Sequence, residues 1–99
     1  MDEFIRNQVS EPSEQINSGV EEEIALTSRV VLFNDDWHTF DEVIVQLIKA
    51  VNCSFEIARG FAFEIHVKGK AIVFSGSMNE CLRVSSVLEE IALNTQIIT

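Results

Sequence analysis

Asn34, Asp35 and Asp36 stand side by side in this 99-residue chain, with His38 just beyond them and His66 further along. Two carboxylates and an amide oxygen offer acceptors, so the run suits a cation. It suits a turn equally well, because Asn and Asp side chains bond to nearby backbone. A histidine beside them suggests a divalent metal, but oxygen-rich calcium loops supply more ligands at a fixed spacing, and no metal or other cofactor is expected. His66, near the end of an amphipathic segment, reads by itself as a histidine bonded to backbone or favoured by a helix dipole. His38 reads as exposed on the turn. Signs of catalysis are fewer still. There is no G-x-S-x-G or Walker-type sequence, and tyrosine is absent. Cys53 and Cys81 are far apart and match no redox or metal spacing, so both read as small apolar fillers. Asp–His pairs alone would have to carry any acid–base step, and they would need a deep cleft. A binding module is expected rather than an enzyme.

The elements that must position these residues are legible on either side of them. Val30-Val31-Leu32-Phe33 is a continuous, mostly β-branched run that predicts a strand ending at Asn34. Thr39 and Glu42 form a capping-box pair. Phe40, Val43, Ile44, Leu47, Ile48 and Val51 follow at helical spacing. Asn52-Cys53-Ser54 breaks that stripe, and Ser54 can cap a second helix with Phe55, Ala58, Phe61, Ala62 and Ile65 on its buried face and His66 near its end. Lys68-Gly69-Lys70 predicts a turn, and Ala71-Ile72-Val73-Phe74 a second strand. Ser77 and Glu80 repeat the capping box ahead of Cys81, Val84, Leu88 and Ile91, with Leu82 and Ala92 beside them. Gln96-Ile97-Ile98 suits a last short strand. The order β-α-α-β-α-β predicts an α+β domain over residues 27–99, a small three-stranded sheet with three helices packed on one face.

Composition narrows the partners. An apolar fraction of 46% can build one core at this length. No apolar run approaches the roughly 20 residues that span a bilayer, and the acidic Met1-Asp2-Glu3 start has no secretory h-region, so a cytoplasmic location is expected. A formal net charge of −9 opposes binding to nucleic acid phosphates and to anionic membranes. Much of that charge lies at the start. Residues 1–26 hold the acidic run Glu21-Glu22-Glu23 and Pro12, the only proline, without a sustained apolar period. A flexible acidic tail is expected there.

Taken in order, Val31-Leu32-Phe33-Asn34-Asp35-Asp36, Val43, Ala58, His66 and Gly69-Lys70-Ala71-Ile72 resemble the core of the ClpS family of protease adaptors, over about residues 29–98. The resemblance implies capture of N-degron proteins, whose first residue is bulky and hydrophobic, and their delivery to a ClpA- or ClpC-like AAA+ unfoldase working with ClpP. It implies that Asn34, Asp36 and His66 hold the substrate α-ammonium and that Asp35 meets the first peptide group. Phe40, Val43, Ala62 and Ile65 would line the side-chain pocket, with Ile98 closing one wall. Glu80 and Arg83 would lie near the unfoldase contact. A monomer is expected. The family's common Thr-Pro-Met is His38-Thr39-Phe40 here, and its gating methionine in the second helix is Ala62. The pocket is therefore expected to be displaced rather than enlarged, to the advantage of aromatic first residues.

Two other readings compete. The C-terminal domain of the ribosomal stalk protein shares this general fold, and fold does not fix function. A structural interaction domain of that kind would have no need to gather acceptors. A metal-dependent hydrolase would use Asp35, Asp36 and a histidine.

Overall fold

The computed structural model describes residues 27–99, so the tail expected over residues 1–26 lies outside the described residues. Six elements follow in chain order: β1 (Ser28–Phe33), α1 (Phe40–Val51), α2 (Phe55–Lys68), β2 (Lys70–Gly76), α3 (Met78–Glu89) and β3 (Thr95–Ile98). This is the expected β-α-α-β-α-β order. The strands form one sheet in the order β2-β1-β3, and both pairings are antiparallel.

The continuous apolar run of β1 is explained by its central place. Val30 and Leu32 are wholly buried in the core beneath the helices, and Val31, on the opposite face, is buried too. A register shift between Val30 and Val31 leaves an extra residue in β2, the signature of a β-bulge. Both Val73 and Phe74 consequently pack against the core. Ile44 and Leu47 of α1, Ala58, Ala62 and Ile65 of α2, and Cys81, Val84 and Leu88 of α3 complete that core. Each fully buried Leu contributes roughly 1.5–3 kcal/mol of transfer free energy.

The helix boundaries follow local chemistry. Thr39 Oγ1 accepts from Glu42 N at 3.1 Å while Thr39 N donates to Glu42 Oε1 at 2.8 Å. Ser77 and Glu80 repeat the arrangement, and Ser54 Oγ accepts from Ile57 N at 3.2 Å. α1 ends at Asn52 and α2 at Gly69, both left-handed at φ 60° and 90°.

Two details differ from the sequence reading. Phe55, expected on the buried face of α2, is exposed, and the core contribution of α2 begins at Ala58. α3 ends at Glu89, and Ala92 adopts φ 64°. Ile91 therefore lies in a turn rather than on a helix. That turn is fastened from both sides, by Phe33 N donating to Asn94 O at 3.0 Å and by Leu93, which is buried in the core.

Candidate functional site

The segment between β1 and α1 is pinned at several points. Asn34 N donates to Gly69 O at 2.9 Å, which ties the end of β1 to the end of α2. Asp35 Oδ1 accepts from Trp37 N at 3.1 Å and His38 N at 2.8 Å, an Asx-type turn that closes the loop on itself. Thr39 then caps α1. The loop therefore sits at the C-terminal end of α2, where His66 lies one turn before the cap.

This arrangement leaves a cavity of about 520 Å³ lined by Asn34, Asp35, Asp36, His38, Thr39, Phe40, Val43, Ala62, Ile65 and His66. Its size falls in the range of small-ligand sites. One end is polar and the other apolar. Asn34, Asp36 and His66 are exposed, and their side chains make no hydrogen bond among the described residues. Phe40, Val43, Ala62 and Ile65 make the apolar wall. Val43 comes one turn into α1 because the capping box fixes where that helix starts. Ala62 and Ile65 come from the buried stripe of α2.

Asp35 lines the same cavity but is occupied. Besides its two backbone donors, its Oδ2 lies 2.6 Å from His38 Nδ1. Three of roughly four carboxylate acceptor positions are thus filled from within its own loop. Burial pushes its pKa up, but the His38 backbone and ring, the Trp37 amide and the His38 charge outweigh this and hold it below the ordinary Asp value.

His38 is not the exposed turn residue expected. Its side chain is 5% exposed, lies under the Trp37 indole at a centroid distance of 4.3 Å, and brings Nε2 to 2.5 Å from Ile91 O. Burial lowers its pKa, but the Asp35 carboxylate, the Ile91 carbonyl and the charge of Glu42 more than offset this and raise it above the ordinary histidine value.

Ile98 does not reach this cavity. It pairs with Arg29 on the sheet face away from the helices, in a separate groove of about 370 Å³ with Val31, Phe33 and Ile72. The strand's two-residue alternation decides this: Ile97, not Ile98, shares the core face. Glu80 and Arg83 both have structural partners. Glu80 completes the α3 capping box, and Arg83 Nη1 donates to Ala50 O near the end of α1 at 3.2 Å.

The role of His38 escaped the sequence reading. The Asn34-Asp35-Asp36 run suited a turn, but the Ile91 partner of His38 lies 53 residues away and leaves no local trace. Among the described residues no group of three or more His, Cys, Asp or Glu side chains gathers to hold a metal, and no helix is long and apolar enough to cross a membrane.

Comparison with known proteins adds three findings. Residues 25–96 match the family model described as ATP-dependent Clp protease adaptor protein ClpS. The chain is 41% identical over 58 residues to the E3 ubiquitin-protein ligase UBR2 of Homo sapiens, and 33% identical over 70 residues to UBR1 of Drosophila melanogaster. Those stretches cover 59% and 70% of this chain but only 3% and 4% of the ligases, so the chain spans a small part of the relatives it matches. The fold matches Agrobacterium tumefaciens ClpS2, solved bound to L-phenylalaninamide, with a TM-score of 0.65 and 21% identity over 72% of this chain and 93% of that one.

Proposed function

The chain belongs to the ClpS family of Clp protease adaptors, and from that premise we propose that its cavity captures proteins by a free N-terminal α-amine together with a bulky hydrophobic first side chain. The observation that carries this reading is the division of one cavity into unengaged polar groups and an apolar wall.

An α-ammonium presents three donors and needs acceptors in several directions. The Asn34 amide oxygen, the Asp36 carboxylate and a neutral His66 ring nitrogen can each take one. A hydrogen bond to a charged group is worth roughly 1.5–3 kcal/mol, and burying one Leu- or Phe-sized side chain contributes roughly 1.5–3 kcal/mol. Neither alone overcomes the cost of association. Binding needs both together. The site is therefore an AND gate for charge and apolar volume. Phe40 offers a ring to the wall, and Ala62 leaves space beside it, which favours Phe, Trp and Tyr while still admitting Leu. Asp35, with its acceptor positions filled by the loop, holds the backbone of the cup and is the weakest candidate for direct contact. The solved ClpS2 with its amidated phenylalanine is consistent in fold with such a ligand.

In this role the module performs no reaction. It hands its cargo to a ClpA- or ClpC-like AAA+ unfoldase and ClpP in the cytoplasm, acting as a monomer without a cofactor. A second destination is suggested by the 41% identity to a short stretch of UBR2: the same capture module can present its cargo to a ubiquitin ligase instead of an unfoldase.

The test is fluorescence titration with a Phe-initiated peptide and its N-acetylated twin. Acetylation is expected to weaken binding at least tenfold. Equal binding of the two peptides would overturn amine capture and favour a plain interaction domain.

A further inference from the structure

His38 lies behind the polar rim of the cavity, and both of its ring nitrogens face acceptors. Nδ1 is 2.6 Å from Asp35 Oδ2 and Nε2 is 2.5 Å from Ile91 O. A carboxylate and a carbonyl can only accept. A neutral imidazole has one N–H and one lone pair, so either tautomer leaves a lone pair against an acceptor. Only the imidazolium donates to both.

The surroundings support the charged form. Asp35 comes from the same loop and Glu42 from α1, both negative, while the turn after α3 contributes the Ile91 carbonyl. Asp36 on the loop and His66 on α2 are the other titratable groups lining this cavity. Trp37 covers the ring from outside, so water does not readily replace either partner. The direction of the His38 pKa, above its ordinary value, agrees with this geometry.

We propose that His38 is a positioning residue for amine capture: as an imidazolium it ties the Asn34–Asp36 loop, through Asp35, to the Ile91 turn beyond α3, and the cup keeps its geometry only in that form. The inference rests on the reading of the cavity as a site for an N-terminal amine. The loop has other anchors, at Gly69 through Asn34 N and at the α1 cap through Thr39. Both lie toward α2 and α1. Toward the turn after α3, Phe33 N at the end of β1 donates to Asn94 O, and the His38–Ile91 link ties that turn to the loop itself. When His38 loses its proton, Nε2 and Ile91 O repel, the ring swings, and Asp35 follows. Asn34 and Asp36 flank Asp35 directly, so their side chains lose their common aim. Affinity for an amine-bearing peptide therefore falls as pH rises through the His38 titration.

The experiment measures binding of a Phe-initiated peptide to the full chain between pH 5.5 and 8.5, for wild type and for His38→Gln. Gln can still donate to Asp35 but does not titrate. Contributions from the peptide amine and from His66 are common to both proteins and cancel in the ratio of their dissociation constants. Wild type is expected to hold an advantage of about tenfold at the acid end, the worth of one charge-assisted hydrogen bond, and to lose it at the alkaline end. A ratio constant across this range overturns the role of His38. A second measurement needs no variant. Nitrogen NMR of the wild-type ring should show both nitrogens protonated at pH 6, with the Ile91 carbonyl carbon shift following their deprotonation. A singly protonated ring at pH 6, or an unresponsive Ile91 carbonyl, overturns it as well. If free and acetylated peptides bind equally at pH 6, the amine-site reading fails and this role falls with it. If they remain distinct while the ratio stays flat, only the His38 assignment fails.

Discussion

Asp35 and Asp36 are chemically identical neighbours, and their surroundings divide the work between them. Asp35 is held by two amides and the His38 ring, whereas Asp36 points to solvent at the cavity rim with no partner among the described residues. The two should therefore respond differently to the same change. Asp36→Asn is expected to weaken binding of a Phe-initiated peptide by about tenfold or more, since a charge-assisted hydrogen bond is lost, and to leave the melting temperature unchanged. Peptide titration alongside a thermal scan checks both halves. An Asp36→Asn protein that binds as wild type would remove Asp36 from the amine cup. At this scale the sequence brought Asn34, Asp35, Asp36 and His66 forward as candidates, and the fold gathers them around one cavity, but the sequence did not show how each side chain is engaged. His38 read as exposed on the turn, because its burial and its bond to Ile91 come from segments distant in the chain.

Among the elements, α2 and its cap do most to build the site. The left-handed φ of 90° at Gly69 stops α2 one turn past His66, and the Gly69 carbonyl receives Asn34 N. A Cβ there would meet nothing within 4 Å, so the cost of substitution is conformational rather than steric against neighbours. Gly69→Ala is expected to destabilise the fold by about 1–2 kcal/mol, the penalty for a left-handed L-residue, and to weaken peptide binding as the Asn34 anchor shifts. Urea denaturation measures the first effect and peptide titration the second. Unchanged stability would mean that the cap relaxes to another conformation. The elements were the most legible part of this chain. Both capping boxes and the Ser54 cap occur where side-chain chemistry within four residues places them. What failed was the extent of burial: Phe55 has helical spacing yet stays more than half exposed, and α3 ends at Glu89 while its apolar pattern runs on to Ile91. Periodicity reports that a face is apolar, but only the packing partner decides how far along the helix that face is covered.

For the whole molecule, the Asp35–His38–Ile91 connection joins the loop after the central strand to the turn after the last helix, so its ionisation bears on global stability. His38 has a raised pKa, and its contribution is complete below its unfolded value of about 6.5 and lost as pH rises through the folded value. Asp35 has a lowered pKa, and its contribution is present above about 4 and lost as pH falls through the folded value. The pair is at full strength between those limits. Thermal scans of wild type and His38→Gln should show the largest difference in melting temperature between about pH 4 and 6.5, shrinking on either side. A difference that grows toward pH 8 would contradict the charged assignment. The chain's own order of residues settled the fold class, the six elements, the loop that carries the polar triad and the apolar wall of α1 and α2, because each follows from patterning and capping within a few residues. Three things came only from the assembled fold: the burial of His38 against Ile91, the engagement of Asp35, and the removal of Ile98 to the far face of the sheet. These depend on which segments meet across long chain separations and on strand parity, and short-range chemistry does not encode either.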